Sequence, residues 1–200
     1  MTSTPRTIDE VRSDLVNGLA AAVSEKGYAA TTIADIVAQA RVSKRTFYEH
    51  FSDKEQCLMA LYARACEMLI AVIRSAARPD QPWREQVDAT VAAYLSAMES
   101  MPAVNRALLV EIQAAGPRAY RLRQEMLHRI ADTLVSIVDS GRRANPDIPP
   151  LSPTLALAVV GGINELMLQA VDPYTEAKPS FADLHEATVH LVSAVLAYRS

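Results

Sequence analysis

The chain has 200 residues, half of them apolar, with a formal charge of −3 and an isoelectric point of about 5.8. That is enough apolar chain for a sizeable core, in one domain or in two small helical ones. A mildly acidic molecule has no overall cationic coat for nucleic acid or a membrane, so any anion-binding surface must be local.

Apolar residues recur at spacings of three and four, and sustained alternation is absent, which predicts an all-α protein of about nine helices. Thr7 and Glu10 form a capping-box pattern that opens the first helix. Its stripe is Val11, Leu15, Leu19 and Ala22, and Gly27 is placed to end it. Thr31 or Thr32 caps a short second helix with Ile33, Ile36, Val37 and Ala40 on one face. A tight turn, "RVS", then leads to a third short helix that Ser43 can cap.

A long helix follows from about Asp53 to Arg78, and its Cys57 and Cys66 are nine positions apart. They face opposite sides of that helix, about 13 Å apart along its axis, and cannot bridge within the chain. Together with an N-terminus that shows no apolar leader, this points to a reducing, cytoplasmic setting. Pro82, Met101-Pro102 and Gly116-Pro117 mark further helix starts or breaks, and "RRANPDIPPLSP" reads as the clearest loop. Ser152-Pro153 caps the next helix, and the last one begins near Ser180 with Asp183 in its first turn. The longest uninterrupted apolar stretch, Leu155 to Ile163, falls well short of the roughly 18 residues that span a bilayer, so a soluble protein with no membrane partner is expected.

The segment from Thr32 to Phe51 has the dimensions of a helix-turn-helix. Phe47 and Phe51 share a face and, with Val42, meet the stripe of the preceding helix, which turns Lys44, Arg45, Thr46 and Tyr48 toward solvent. From Arg41 to Lys54 four cations (Arg41, Lys44, Arg45, Lys54) stand against two anions (Glu49, Asp53), a local +2 in a molecule of −3. Such a patch aims a nucleic acid at one place and repels it elsewhere. Arg45 and Lys44 can donate to guanine O6 and N7, and Thr46 can meet a thymine methyl or a base edge. Tyr48, His50, Lys54, Thr31 and Thr32 suit phosphate oxygens.

These residues also resemble a family, the TetR-type transcriptional regulators. The resemblance rests on "EKGYAATTIADIVAQARVSKRTFYEHFSDKEQCL", in which Gly27-Tyr28, Thr31-Thr32, Ile36-Val37, Val42-Ser43, Thr46, Tyr48, His50-Phe51 and Lys54-Glu55 match the family pattern. It is close over roughly the first 60 residues and architectural beyond them. It implies DNA contacts at Thr31, Thr32, Lys44, Arg45, Thr46, Tyr48, His50 and Lys54, with Arg41 and Ser43 as further candidates. Arg41 stands where the family usually has glycine. If the backbone there is left-handed, a side chain costs roughly 1 kcal/mol, which a phosphate contact can offset. Arg45 occupies a position often held by a small residue and adds a reading or anchoring group.

The expected organisation is a helix-turn-helix DNA-binding domain over residues 1–53 and a helical effector-binding and dimerisation domain over 54–200. The helix after Ser152 carries Leu155, Val159, Gly162 and Leu166 on one side and Leu157, Val160 and Leu168 around the rest, so it needs cover on more than one face. Gly161-Gly162 suggests a close helix crossing, since each glycine costs an isolated helix about 1 kcal/mol relative to alanine. The last helix offers Leu184, Ala187, Leu191 and Val195. Two such helices from each of two chains would form a four-helix dimer interface and set two recognition helices about 34 Å apart on two-fold related half-sites of duplex DNA.

The family resemblance further implies a small-molecule pocket among the middle helices and a regulator, a repressor rather than an activator, that releases its operator when the pocket fills. The candidate lining is Met68, Trp83, Tyr94, Met98, Glu111, Met126, Asn164 and Met167. Asn164 stands out because Leu157, Val160 and Leu168 flank it, and a buried amide needs a partner. Catalytic residues, cofactors and metal ligands are not expected. Glu125-x-x-His128 lacks the second copy that a di-iron helix pair needs. His185 and His190 are five apart, about 140° round a helix, and poorly placed to share a metal. Two rival readings stay open at this level: a helical enzyme with no recognisable motif, and an adaptor that binds proteins through its apolar C-terminal helices.

Overall fold

The computed structural model describes residues 6–78, 80–171 and 179–197, which form helices and loops with no strand among them. Helix α1 spans Ile8–Ala30, and its Thr7–Glu10 capping box is closed in both directions. At Gly27 the backbone turns to φ 77°, and the helical path resumes for only one more turn. Helix α2 is Ile33–Ala40, capped by Thr32 and Asp35, and α3 is Lys44–His50, capped by Ser43. Helix α4, Lys54–Ala76, starts from an Asp53 cap, and α5 is Trp83–Glu99.

Helix α6 runs through three consecutive segments: Pro102–Arg106, a wider π turn over Ala107–Glu111, and Ile112–Ala114. Helix α7 is Gly116–Gly141, α8 is Pro153–Val171 and α9 is Phe181–Ala197, which makes nine helices among the described residues. Helix α9 begins with a reciprocal Ser–Asp cap, Ser180 with Asp183.

The first core cluster joins Leu15, Leu19 and Val23 of α1 to Ile36 and Val37 of α2, Phe47 and Phe51 at α3, and Leu58 and Leu61 of α4. It continues without a break into Val104, Ala107, Leu108 and Ile112 of α6 and Met126 of α7. The two phenylalanine rings pack on each other with centroids 5.7 Å apart, and each contributes about 1.5–3 kcal/mol by leaving water. A second cluster joins α5, α8 and α9 through Val87, Val91, Met167 and Leu184, and a third ties α7 to α8 through Leu127, Ala131, Ala156 and Val160. The chain is thus an all-α protein with an N-terminal helix-turn-helix domain and a larger helical body. Helix α4 packs into both.

One expectation about packing needs correction and one is supplemented. Within the chain the close helix crossing falls at Gly18, where a Cβ would sit 2.6 Å from the Ile36 carbonyl oxygen. Within this chain Gly161 has open space beside it and Gly162 an ordinary contact with Leu191. Leu184, expected at a subunit contact, lies in the core against α5. The side of α8 and α9 left open instead carries Leu155, 41% exposed, with Ala158, Ala187, His190 and Ala194. Averaged over 18 residues, α4 and α8 are apolar and long enough to cross a membrane by length and composition, which the count of uninterrupted apolar runs did not register. Here both serve as packing helices of the clusters just described.

Candidate functional site

The helix-turn-helix is built by its caps and its core. Thr32 Oγ1 accepts from the Asp35 amide, and the Asp35 carboxylate accepts from both the Thr32 amide and hydroxyl. Lys26 pairs with Asp35 at 2.7 Å. The Lys26 ammonium and the Thr32 donors hold the Asp35 carboxyl well below the usual carboxylate range. Helix α2 ends at Arg41, whose backbone is left-handed (φ 53°, ψ 47°), the geometry its place in the turn suggested. Ser43 Oγ then accepts from the Thr46 amide at 3.0 Å and starts α3.

With Phe47 buried, the rest of α3 stands outward. Arg45 has its side chain 90% accessible and only a 3.2 Å pair with Glu49. Such an exposed pair adds little to stability, so the guanidinium is available to a ligand. Lys44 is exposed and makes no polar contact among the described residues. Tyr48 is 58% exposed, braced edge-on against Phe47. Ser43, Arg41 and Thr32 are exposed on the same unit, and His50 is half-buried at its end. Thr46, expected to face solvent, is half-buried, with its hydroxyl 2.9 Å from Ser43 Oγ.

Two predicted contacts are drawn inward. Thr31 is 2% exposed and its hydroxyl donates to the Gly27 carbonyl at 2.7 Å, so it closes the break in α1 and offers no surface to a phosphate. Lys54 is half-buried, and its ammonium donates to the carbonyls of Tyr28 and Thr31, both at 2.9 Å. Two arginines of the α1 region were missed. Arg12 lies 4.4 Å over the Phe51 ring and donates to the His50 carbonyl. Arg6 pairs with Asp14 at 2.8 Å and donates to the Arg41 carbonyl at 3.2 Å. Both brace the helix-turn-helix from behind. Little local in the sequence marks them, because the carbonyls of Arg41 and His50 that they reach are more than 30 positions away.

The helical body holds a partly open cavity of about 310 Å3 between α4, α5, α6, α7, α8 and α9. Met68, Trp83, Tyr94, Met98 and Asn164 line it, as the sequence suggested. Glu111, Met126 and Met167 do not. Met126 and Met167 are buried in the first and second core clusters. Glu111 sits on the π turn, where its charge acts on Tyr28 and Lys54 near the helix-turn-helix.

The lining contains Thr90, Gln86, Asn105 and Thr188, which sequence reasoning missed, and among the described residues no Asp, Glu, Lys, Arg or His. Gln86 and Asn105 are occupied by main-chain carbonyls, those of Gln81 and Met98. Cys66 also lines the cavity, and burial pushes its thiol up to about 11, so it stays protonated.

Residues 16–61 match the model for bacterial regulatory proteins of the tetR family. The chain is 30% identical over 101 residues to YxbF, an HTH-type transcriptional regulator of Bacillus subtilis (strain 168), a match covering 50% of this chain and 27% of that one. It is 31% identical over 91 residues to the HTH-type transcriptional activator FasR of Mycolicibacterium smegmatis, covering 46% and 42%. The matched segments therefore span less than half the length of these curated relatives. In fold, the chain is similar to FadR of Bacillus subtilis, solved in complex with stearoyl-CoA: TM-score 0.71 and 17% identity, covering 92% of this chain and 98% of that one.

Proposed function

We propose that this chain, which belongs to the tetR family of bacterial regulatory proteins, is a cytoplasmic, homodimeric repressor that leaves its operator when a small molecule fills the cavity. In this reading residues 1–53 form the DNA-binding head and 54–200 the effector-binding and dimerisation body. The observation that carries it is the double engagement of α4. Leu58 and Leu61 pack in the head's core. One turn further on, Tyr62, Ala65, Cys66, Met68 and Leu69 line the cavity. A shift of α4 on filling the cavity would move the seat of α3. For a hundredfold loss of DNA affinity the effector must favour the released form by about 2.7 kcal/mol.

On the outward face, Arg45, Lys44 and Thr46 meet base edges, while Tyr48, His50, Ser43, Thr32 and Arg41 meet phosphates. Two-fold pairing through the open side of α8 and α9 places two such faces on successive major grooves. The fold shared with FadR, which was solved with stearoyl-CoA, supports a small-molecule role for the cavity. The similarity to FasR, an activator, leaves the sign of control to experiment. A mobility-shift titration on the DNA flanking the gene, paired with a reporter on that promoter, tests the reading. Specific shifting with reporter output that rises on deletion supports a repressor. Absence of any specific shift opposes the whole assignment.

A further inference from the structure

The cavity lining combines apolar walls with a small set of neutral polar groups that no protein atom satisfies. Thr188 is 2% exposed, lies on α9 one turn from the buried Leu184, and makes no hydrogen bond among the described residues. Asn164 on α8 and Tyr94 on α5, both half-buried, also lack polar partners among the described residues and line the same space. Their polar atoms are open to the cavity and not sealed in protein, since the Tyr28 hydroxyl is the one fully buried side-chain polar atom without a partner among the described residues, so a ligand in this space can reach them. Gln86 and Asn105 already donate to main-chain carbonyls, which leaves Thr188, Asn164, Tyr94 and the Thr90 hydroxyl on α5 as the neutral groups open to a ligand.

On the basis that this cavity is the effector site, we propose that it binds an elongated apolar molecule ending in a neutral hydrogen-bonding group, such as an alcohol, ketone or ester, and rejects one that must bring a carboxylate or phosphate inside. Hydroxyl and amide groups can each donate and accept, and so match a carbonyl or hydroxyl oxygen. A carboxylate entering the same space would meet no arginine, lysine or histidine among the lining residues. The nearby Arg84 is exposed and stacks 4.3 Å from the ring centre of Trp83, and it is not part of the lining. An ion taken from water without a counter-charge is strongly disfavoured.

Trp83 is the one tryptophan of the chain and lines the cavity, so its emission reports occupancy directly. The experiment titrates the full-length protein with 1-decanol, decanoate and decanoyl-CoA at neutral pH, following Trp83 emission and, in parallel, release of bound DNA. Decanol should bind at least about tenfold more tightly than decanoate, and decanoate should recover affinity toward about pH 5 as its carboxyl takes up a proton. Thr188→Val and Asn164→Leu should each weaken decanol by about threefold or more while the unliganded variants melt as the parent does. If decanoate or decanoyl-CoA binds as tightly as decanol, the neutral-ligand claim is overturned while the cavity keeps its effector role. If no probe alters Trp83 emission or DNA affinity, both fall.

Discussion

The Nζ of Lys54 donates at 2.9 Å to the main-chain carbonyl of Tyr28 and lies 4.1 Å from the centre of that residue's ring. The first residue of α4 thereby caps the end of α1, where helix carbonyls lack partners and favour a cation. Partial burial pulls the lysine's pKa down from its ordinary value, and the two carbonyls supply the hydrogen bonds that compensate. A residue whose position in the sequence suggests a phosphate contact acts here as a clamp.

Lys54→Met should therefore lower the unfolding free energy by about 1 kcal/mol in urea titrations and leave the salt dependence of DNA binding unchanged. A slope reduced by about one counterion with normal stability would put the ammonium on a phosphate instead.

Arg41 holds a left-handed backbone at φ 53°, a conformation that disfavours any side chain with a Cβ. Arg41→Gly should stabilise the protein by about 0.5–1 kcal/mol while weakening DNA binding on all sequences alike. Stability that falls, or DNA affinity that is unaffected, contradicts the trade between strain and phosphate contact.

Gly18 lets α1 and α2 approach so closely that an added Cβ would lie 2.6 Å from the Ile36 oxygen and 3.1 Å from the Ala40 nitrogen. Both obstacles are backbone, so neither can swing aside. Alanine gains about 1 kcal/mol in helix propensity, yet Gly18→Ala should destabilise by about 1–3 kcal/mol through the forced separation. A more stable variant in urea titrations would show that the helices part without penalty.

Gly161 has nothing within 4 Å of its Cβ position in the same chain. Gly161→Arg should thus spare the folded protomer and act only on a partner. Sedimentation should report monomers, with DNA affinity reduced at least tenfold because two linked half-sites become one. An intact dimer would move the subunit contact away from α8.

The local chemistry was legible: the capping box at Thr7, a threonine cap at Thr31 or Thr32, the Ser43 cap, the helix start near Ser180 and the phenylalanine face all depend on neighbours three or four positions away. What depended on distant packing was not. Glycine in a helix says that something comes close without saying what, and the close approach within this chain, at Gly18, was not singled out. A methionine at helical spacing suits a core and a cavity wall equally, which is why Met126 and Met167 were placed in the lining with Met68 and Met98. Thr188 interrupts an apolar stripe between Leu184 and Leu191, a small signal that becomes a site only when α5 and α8 close over it.

The most direct measurement selects duplexes from a random pool and compares the parent with a variant carrying Lys44→Ala, Arg45→Ala and Tyr48→Ala, reading affinity by fluorescence anisotropy and folding by thermal melting. These side chains are exposed, so the triple variant should melt within a few degrees of the parent. It should lose at least about a hundredfold in affinity for the selected sequence, with Arg45→Ala alone costing about 1–3 kcal/mol at one base position. A pool that yields no preferred sequence, or a triple variant that binds it as the parent does, contradicts the assignment of α3 as the DNA-reading helix.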